Sequence, residues 1–277
     1  MLPSARKLRG PQLYSDSDFA ALSGAAFLAR SILDDMVQQT RPGVSPLELE
    51  TVCQSRIEAA QACAAMVDID GFGHACSISI DSVVAHARPQ AEPLREGQLV
   101  TLDLMLALNG WHADVADTVV VGGGGHPIID ALDAVWRAGL SAVYPGVAWA
   151  DVAAAMGAAA DARGVRLVRG LAGHGIGLAP HELPSLPLVP GPSDPPVTLC
   201  PGMAFTLEPA ISPGSGELID SEDDWVIQTA DGTPSAAREA MIAVENEQIR
   251  VLGCPGSDDS AAGAGYNPFR TGPCPGA

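Results

Sequence analysis

The sequence predicts an α+β fold made of two similar halves packed about a pseudo-twofold axis, each carrying an acid into the middle. Three observations predict it. Stretches with helical periodicity alternate with short apolar strand patterns along the chain. Pro42-Gly43-Val44 and Pro145-Gly146-Val147 each separate two helical stretches. At nearly the same interval, Gly97-Gln-Leu-Val-Thr-Leu-Asp103 is matched by Gly202-Met-Ala-Phe-Thr-Leu-Glu208, in which apolar residues run into Thr-Leu and then a carboxylate.

The elements follow in order. Ser15 caps a first helix, with Asp18 three residues on and apolar Phe19, Leu22, Ala26, Ile32 and Met36 behind it. Ser45 caps a second, with Pro46 at the first helical position and Glu48 as capping-box partner. Strands are expected over Ser77–Ile80, Leu99–Leu108 and Val115–Val121, the last ended by Gly122 to Gly125. Asn109-Gly110 is a strong two-residue hairpin signal between the second and third. Helices are expected from Ile128 through Tyr144 and over Asp151–Arg163, and strands over Ala204 to Leu207 and Ala240 to Val244. Residues 1–14 read as an extension and 15–252 as the folded domain. From Gly253 to Ala277 the Pro/Gly-rich sequence has little to bury and reads as a disordered tail.

Composition narrows the function classes. With 47% hydrophobic residues the chain can bury a substantial core. No apolar run reaches the roughly 18 residues that span a bilayer, and no apolar stretch follows the basic residues of the N-terminus as a secretory signal would. The six cysteines form no CxxC pair or zinc spacing, so reduced thiols in a cytoplasmic protein are expected. A net charge of −18 repels nucleic acid and anionic membranes. A monomer with neither as partner is expected.

Some acids sit where carboxylates are costly. Asp103 stands between Leu102 and Leu104 in an apolar strand, and an ionised carboxylate there needs a cation or several donors. A strand-edge Asp facing water is the alternative. Asp114 follows beyond the Asn109-Gly110 turn, so a hairpin would bring both acids to one end of a sheet. His174 lies in Gly173-His174-Gly175-Ile176-Gly177, with His181 close behind; solvated loop histidines are the alternative there. Glu208 ends one apolar strand and Glu239 begins another. Four carboxylates and an imidazole suit Mn, Fe, Co or Zn better than a thiolate zinc site.

These segments resemble the type I methionine aminopeptidases, of the pita-bread fold, from about Ser15 to about Leu252. The motifs are Val83-Val84-Ala85-His86, the Asp103/Asp114 pair, Gly173 to Gly177 with His181, Pro201 to Pro209, and Ser235 to Glu239. The resemblance implies two α+β halves around a central antiparallel sheet, two divalent metal ions (Co, Mn, Fe or Zn), and removal of an N-terminal residue, methionine, by metal-activated water. It also implies roles. Asp114 and Glu239 would bridge the ions, Asp103 would chelate one, and His174 and Glu208 would complete the other. Glu208 would handle the proton of the attacking water, His181 would hydrogen-bond the scissile amide, and His86 would line the mouth.

The substrate pocket departs from the family. Met66, Ile69, Phe72, Ser77, Pro180 and Trp225 fall at its positions, with Ile69 and Pro180 where the family usually has rings. A wider apolar pocket is expected, with Asp70 beside it. Three readings follow: a methionine aminopeptidase; a diverged relative acting on a peptide or small-molecule intermediate of a specialised pathway; and a binding protein that has lost catalysis. The full ligand set argues against the third. Prolidase-like relatives usually carry a long N-terminal domain, for which about 15 residues before the first helix leave no room.

Overall fold

A computed structural model describes residues 10–69, 71–221, 223 and 225–254, with the side chain of Asp220 left aside. Asp70, the expected extension up to residue 9, and the expected tail from residue 255 lie outside the described residues.

The caps work as the sequence requires. Helix α1 spans Asp16–Gln39 and α2 spans Pro46–Ala59. Ser15 and Ser45 each close a capping box, with Asp18 and Glu48 reaching back to the cap N–H. Helix α3 spans Pro127–Ala142, capped by the His126 ring, and α4 spans Trp149–Ala162.

The first half rests on the hairpin. Strands Leu99–Leu108 and Trp111–Val120 pair along their whole length through Asn109 and Gly110, which sit at φ 52° and 84°. Two successive left-handed residues make the turn whose twist matches the strands. The second strand begins earlier than the expected Val115, because pairing across a tight turn carries strand geometry through Trp111-His112. Ser77–Ile80 and Cys63–Ala64 pair with the outer edge of Leu99–Leu108. Helices α1 and α2 cover this sheet, and Phe19, Leu22, Ile32, Leu33, Leu49, Leu102 and Leu106 form one core.

The second half repeats the arrangement. Helices α3 and α4 cover a five-stranded antiparallel sheet of Ile249–Val251, Ala240–Val244, Ala204–Leu207, Ala172–Gly175 and Glu182–Pro187. Trp136, Trp149, Met156, Phe205 and Ile242 sit in the core between them.

A backbone bridge joins the two central sheets. The Glu239 N–H donates to the Ala116 carbonyl at 2.8 Å, and the Ala116 N–H donates back at 3.3 Å. The two sheets thereby become continuous, and cross-strand neighbours share a face. Ser77, Asp103, Ala116 and Glu239 therefore form one row across the seam.

The end of the domain lies later than expected. A Cβ at Gly253 would meet the α1 backbone at Ala26, and Cys254 packs on the core, so the chain is still docked where the tail was expected to begin.

Candidate metal centre

Register places the five expected ligands. Asp103 faces Ala116 across the hairpin, and Asp114, two residues from Ala116, projects on the same side. Glu239 enters through the bridge to Ala116. On the second sheet, Thr206 follows from the Gly175–Phe205 pairing as the neighbour of His174, and Glu208 is two residues on. The first half thus supplies Asp103 and Asp114, and the second supplies His174, Glu208 and Glu239. Donor atoms of Asp103, Asp114 and Glu239, and those of His174, Glu208 and Glu239, lie within 4.8 Å of one another.

The glycines around His174 are steric necessities. A Cβ at Gly173 would collide with the Thr206 carbonyl, and one at Gly175 with the Leu183 carbonyl. The His174 Nδ1 lies 3.0 Å from the Gly175 carbonyl, to which it can donate, leaving the Nε2 lone pair for the acids. That Nε2 is 3.7 Å from Asp114 and 3.8 Å from Glu208. Burial pushes the imidazole down to about 4, so it is a neutral donor at neutral pH. The Thr206 hydroxyl receives the His174 N–H at 3.0 Å and donates to Glu208 Oε1 at 2.5 Å.

The acids fit divalent cations. Asp114 Oδ1 and Glu239 Oε1 are buried without a hydrogen-bond partner, which is costly for a carboxylate unless a cation meets it. Burial pushes Asp103 up to about 7 and Glu208 up to about 8. Asp114 and Glu239 are raised well above the ordinary range by burial and by the other carboxylates. Glu239 is backed by its neighbour Arg238, whose buried guanidinium pairs with Asp117 at 3.0 Å and also with Asp133. Arg238 fixes both sides of the seam within one residue of Glu239.

A cavity of about 310 Å³ opens over these ligands. Met66, Ile69, Phe72 and Trp225 line it, together with His86 and His181. Ser77 and Pro180 do not. Ser77 is only 1% exposed, packed beside Asp103 in the sheet. Pro180 sits in the 176–182 turn, outside the lining. That turn is tied down by Tyr14, whose hydroxyl donates to Glu182 and accepts the Leu178 N–H, and by the Ala179 N–H on Glu182. Only Ile69 therefore remains from the argument for a wider pocket. Sequence reasoning missed Met105, Leu171 and Ser185 in the wall. Met105 was within reach, since it lies two residues from Asp103 on one strand face.

His86 adopts φ 60°, uncommon for a residue with a Cβ, and its ring lies 6.1 Å from that of Trp225. The His181 ring is 4.5 Å from that of His174. Burial lowers the pKa of both His86 and His181.

Known proteins carry the same architecture. Residues 20–229 match metallopeptidase family M24. A methionine aminopeptidase of Treponema pallidum (strain Nichols) is 36% identical over 228 residues, 81% of this chain and 89% of that protein. Methionine aminopeptidase A of Synechocystis sp. is 31% identical over 244 residues, 87% of this chain and 96% of that protein. The crystal structure of methionine aminopeptidase from Rickettsia prowazekii superimposes with a TM-score of 0.83 at 29% identity, covering 88% of this chain and 99% of that one. The fold is the pita-bread fold.

Proposed function

The chain belongs to metallopeptidase family M24 and is a metal-dependent hydrolase; from that premise we propose that it removes N-terminal methionine from peptides or proteins, using two divalent ions held by Asp103, Asp114, His174, Glu208 and Glu239. The observation that carries this reading is a five-donor cluster, with orphaned buried carboxylate oxygens, on the floor of an apolar cavity. The oxygen-rich donor set suits Mn, Fe, Co or Zn. When bound, such ions supply Lewis acidity that polarises a carbonyl and lets water ionise near neutral pH.

The residues then divide the work. The apolar N-terminal side chain enters among Met66, Ile69, Phe72, Met105 and Trp225, where full burial of a methionine is worth roughly 1.5–3 kcal/mol. Glu208 keeps Oε1 on the Thr206 hydroxyl and, ionised once bound cations offset the burial that raises it, would take the proton of the attacking water. His181, neutral at pH 7, donates to the scissile amide as negative charge grows on it, and His86 contacts the substrate from the mouth. With −18 charges the protein acts on peptide rather than on nucleic acid or membrane partners, as a cytoplasmic monomer. Among the described residues no helix is long and apolar enough to cross a membrane.

Metal-reconstituted protein assayed on peptides that differ only in the first residue tests this reading. Met-Ala peptides should lose methionine, and Glu208→Gln should slow release ~10²–10⁴-fold. Metal-loaded protein that frees no N-terminal residue from any peptide would overturn it.

A further inference from the structure

Three separate segments of the pocket wall meet at one side chain that lies outside the cavity. Phe72 comes from the loop after the short Cys63–Ala64 strand, His86 from the end of Val83–Ala85, and Trp225 from the turn between Leu218–Asp220 and Ile227–Thr229. The His86 and Trp225 segments are joined by the pairing of Ile227 with Ala85, but Phe72 lies in no strand, so backbone pairing does not fix Phe72 against Trp225. Their rings nevertheless stand edge to face, 5.2 Å apart at 67°.

Arg88 makes the join. It follows His86 by two residues, and its guanidinium carbon lies 5.6 Å from the Phe72 ring and 5.9 Å from the Trp225 ring. Its Nε–H donates to the Phe72 carbonyl at 3.1 Å. Its Nη1 donates to both carboxylate oxygens of Asp223, at 2.7 and 2.8 Å. Asp223 in turn accepts the Trp225 N–H at 3.0 Å, while its own N–H is received by the Ser221 hydroxyl at 2.9 Å. The Trp225 N–H and the Arg88 guanidinium hold the Asp223 carboxyl below the ordinary carboxylate range.

From this geometry we propose that Arg88 and Asp223 are positioning residues for substrate selection, a clamp that sets the gap between Phe72 and Trp225 and so the width of N-terminal side chain the cavity admits. Neither touches the metal ligands or lines the cavity. A guanidinium suits the task because its flat fork grips a carboxylate and a carbonyl while it packs on two rings. Released, Trp225 swings with its turn, and the pocket loses its preference for a slim unbranched side chain before it loses any chemistry.

The proposal rests on the peptidase reading above. Its test compares Arg88→Met, Asp223→Asn and the double variant as metal-loaded full-length proteins. On Met-Ala peptide kcat should stay within about twofold of the parent while KM rises about five- to tenfold, and peptides beginning with Leu or Phe should gain relative to methionine. The double variant should be no worse than the poorer single one, since both changes open one clamp. A fall in kcat with KM unchanged, additive losses, or unchanged selectivity would overturn the proposal. A second readout needs no turnover: acrylamide quenching of Trp225 fluorescence, taken as the difference from Trp225→Phe in each background. Quenching should rise in all three clamp variants, and equal quenching in parent and variants would refute the clamp. If quenching rises but parent protein releases no N-terminal residue, the clamp stands and the peptidase reading fails.

Discussion

The ligand cluster and the pocket wall above it are built on different principles. Each ligand projects from, or within a residue or two of, a paired strand, so a ladder of backbone hydrogen bonds sets its position. Phe72, Ile69 and Trp225 sit on a short helical turn and loops, held by rings, a guanidinium and one carboxylate. Changing a side chain in the floor should alter chemistry and metal content while leaving geometry intact, whereas changing one in the wall should alter geometry itself. If the clamp proposal holds, the floor serves reaction and the wall serves selection.

The sharpest test of the floor is loss of a shared ligand. Asp114→Ala or Glu239→Ala removes a carboxylate that both ions are proposed to share. Metal content by elemental analysis should drop well below that of the parent, and two equivalents retained would refute the bridging assignment.

Next in size is Arg238→Met. It leaves Asp117 and Asp133 without their buried cation, a change that costs about 3–5 kcal/mol when one partner of a buried pair is lost. Denaturant unfolding should register that loss, while the folded fraction keeps its metal because no ligand has been touched. A stability within 1 kcal/mol of the parent, on the order of ordinary surface changes, would deny Arg238 its part in the seam.

A smaller effect tests the acids through pH. Burial raises Asp103 to about 7 and Glu208 to about 8 in the folded protein. An acid raised on folding keeps its proton where the unfolded chain has lost it, so stability falls as pH climbs through the folded values. The lowered histidines His86, His174 and His181 act in the opposite sense, but only up to about pH 6.5, where the unfolded imidazole has lost its charge. Chelator-treated protein should therefore lose melting temperature between pH 7 and 9, and saturating Mn²⁺ should abolish that loss. A flat profile without metal would remove the carboxylate cluster as its source.

The smallest change concerns the chain end. Truncation after Cys254 should leave the melting temperature nearly unchanged, whereas removing Gly253 and Cys254 as well should lower it, because both pack on the domain. Equal melting temperatures for the two truncations would show that those contacts contribute nothing.

The same contrast explains what could be read from the sequence. Ser15, Ser45 and Asn109-Gly110 act through neighbours within a few residues, so both capping boxes and the hairpin were legible. The candidate ligands stood out in the sequence because acids in apolar strands are anomalous, and the structure brings their donor atoms together. The wall was not. Leu171 and Ser185 reach the cavity only through the pairing of Ala172–Gly175 with Glu182–Pro187, and Arg88 finds Asp223 across 135 positions of chain. Nothing local marks such residues, and Pro180 was misplaced by the same route, since Tyr14, far away in the chain, sets its turn by holding Glu182 and Leu178.

The bridge between Ala116 and Glu239 has a kinetic side. The backbone of Glu239, a proposed ligand, is also one of the stitches between the halves, so an opening of the seam wide enough to expose its N–H would also draw its carboxylate away from the other acids. If Glu239 holds an ion, its release and amide exchange at that bond are expected to share one slow step. Metal would leave this protein on the clock of its own breathing, and hydrogen exchange at a single amide would keep the time.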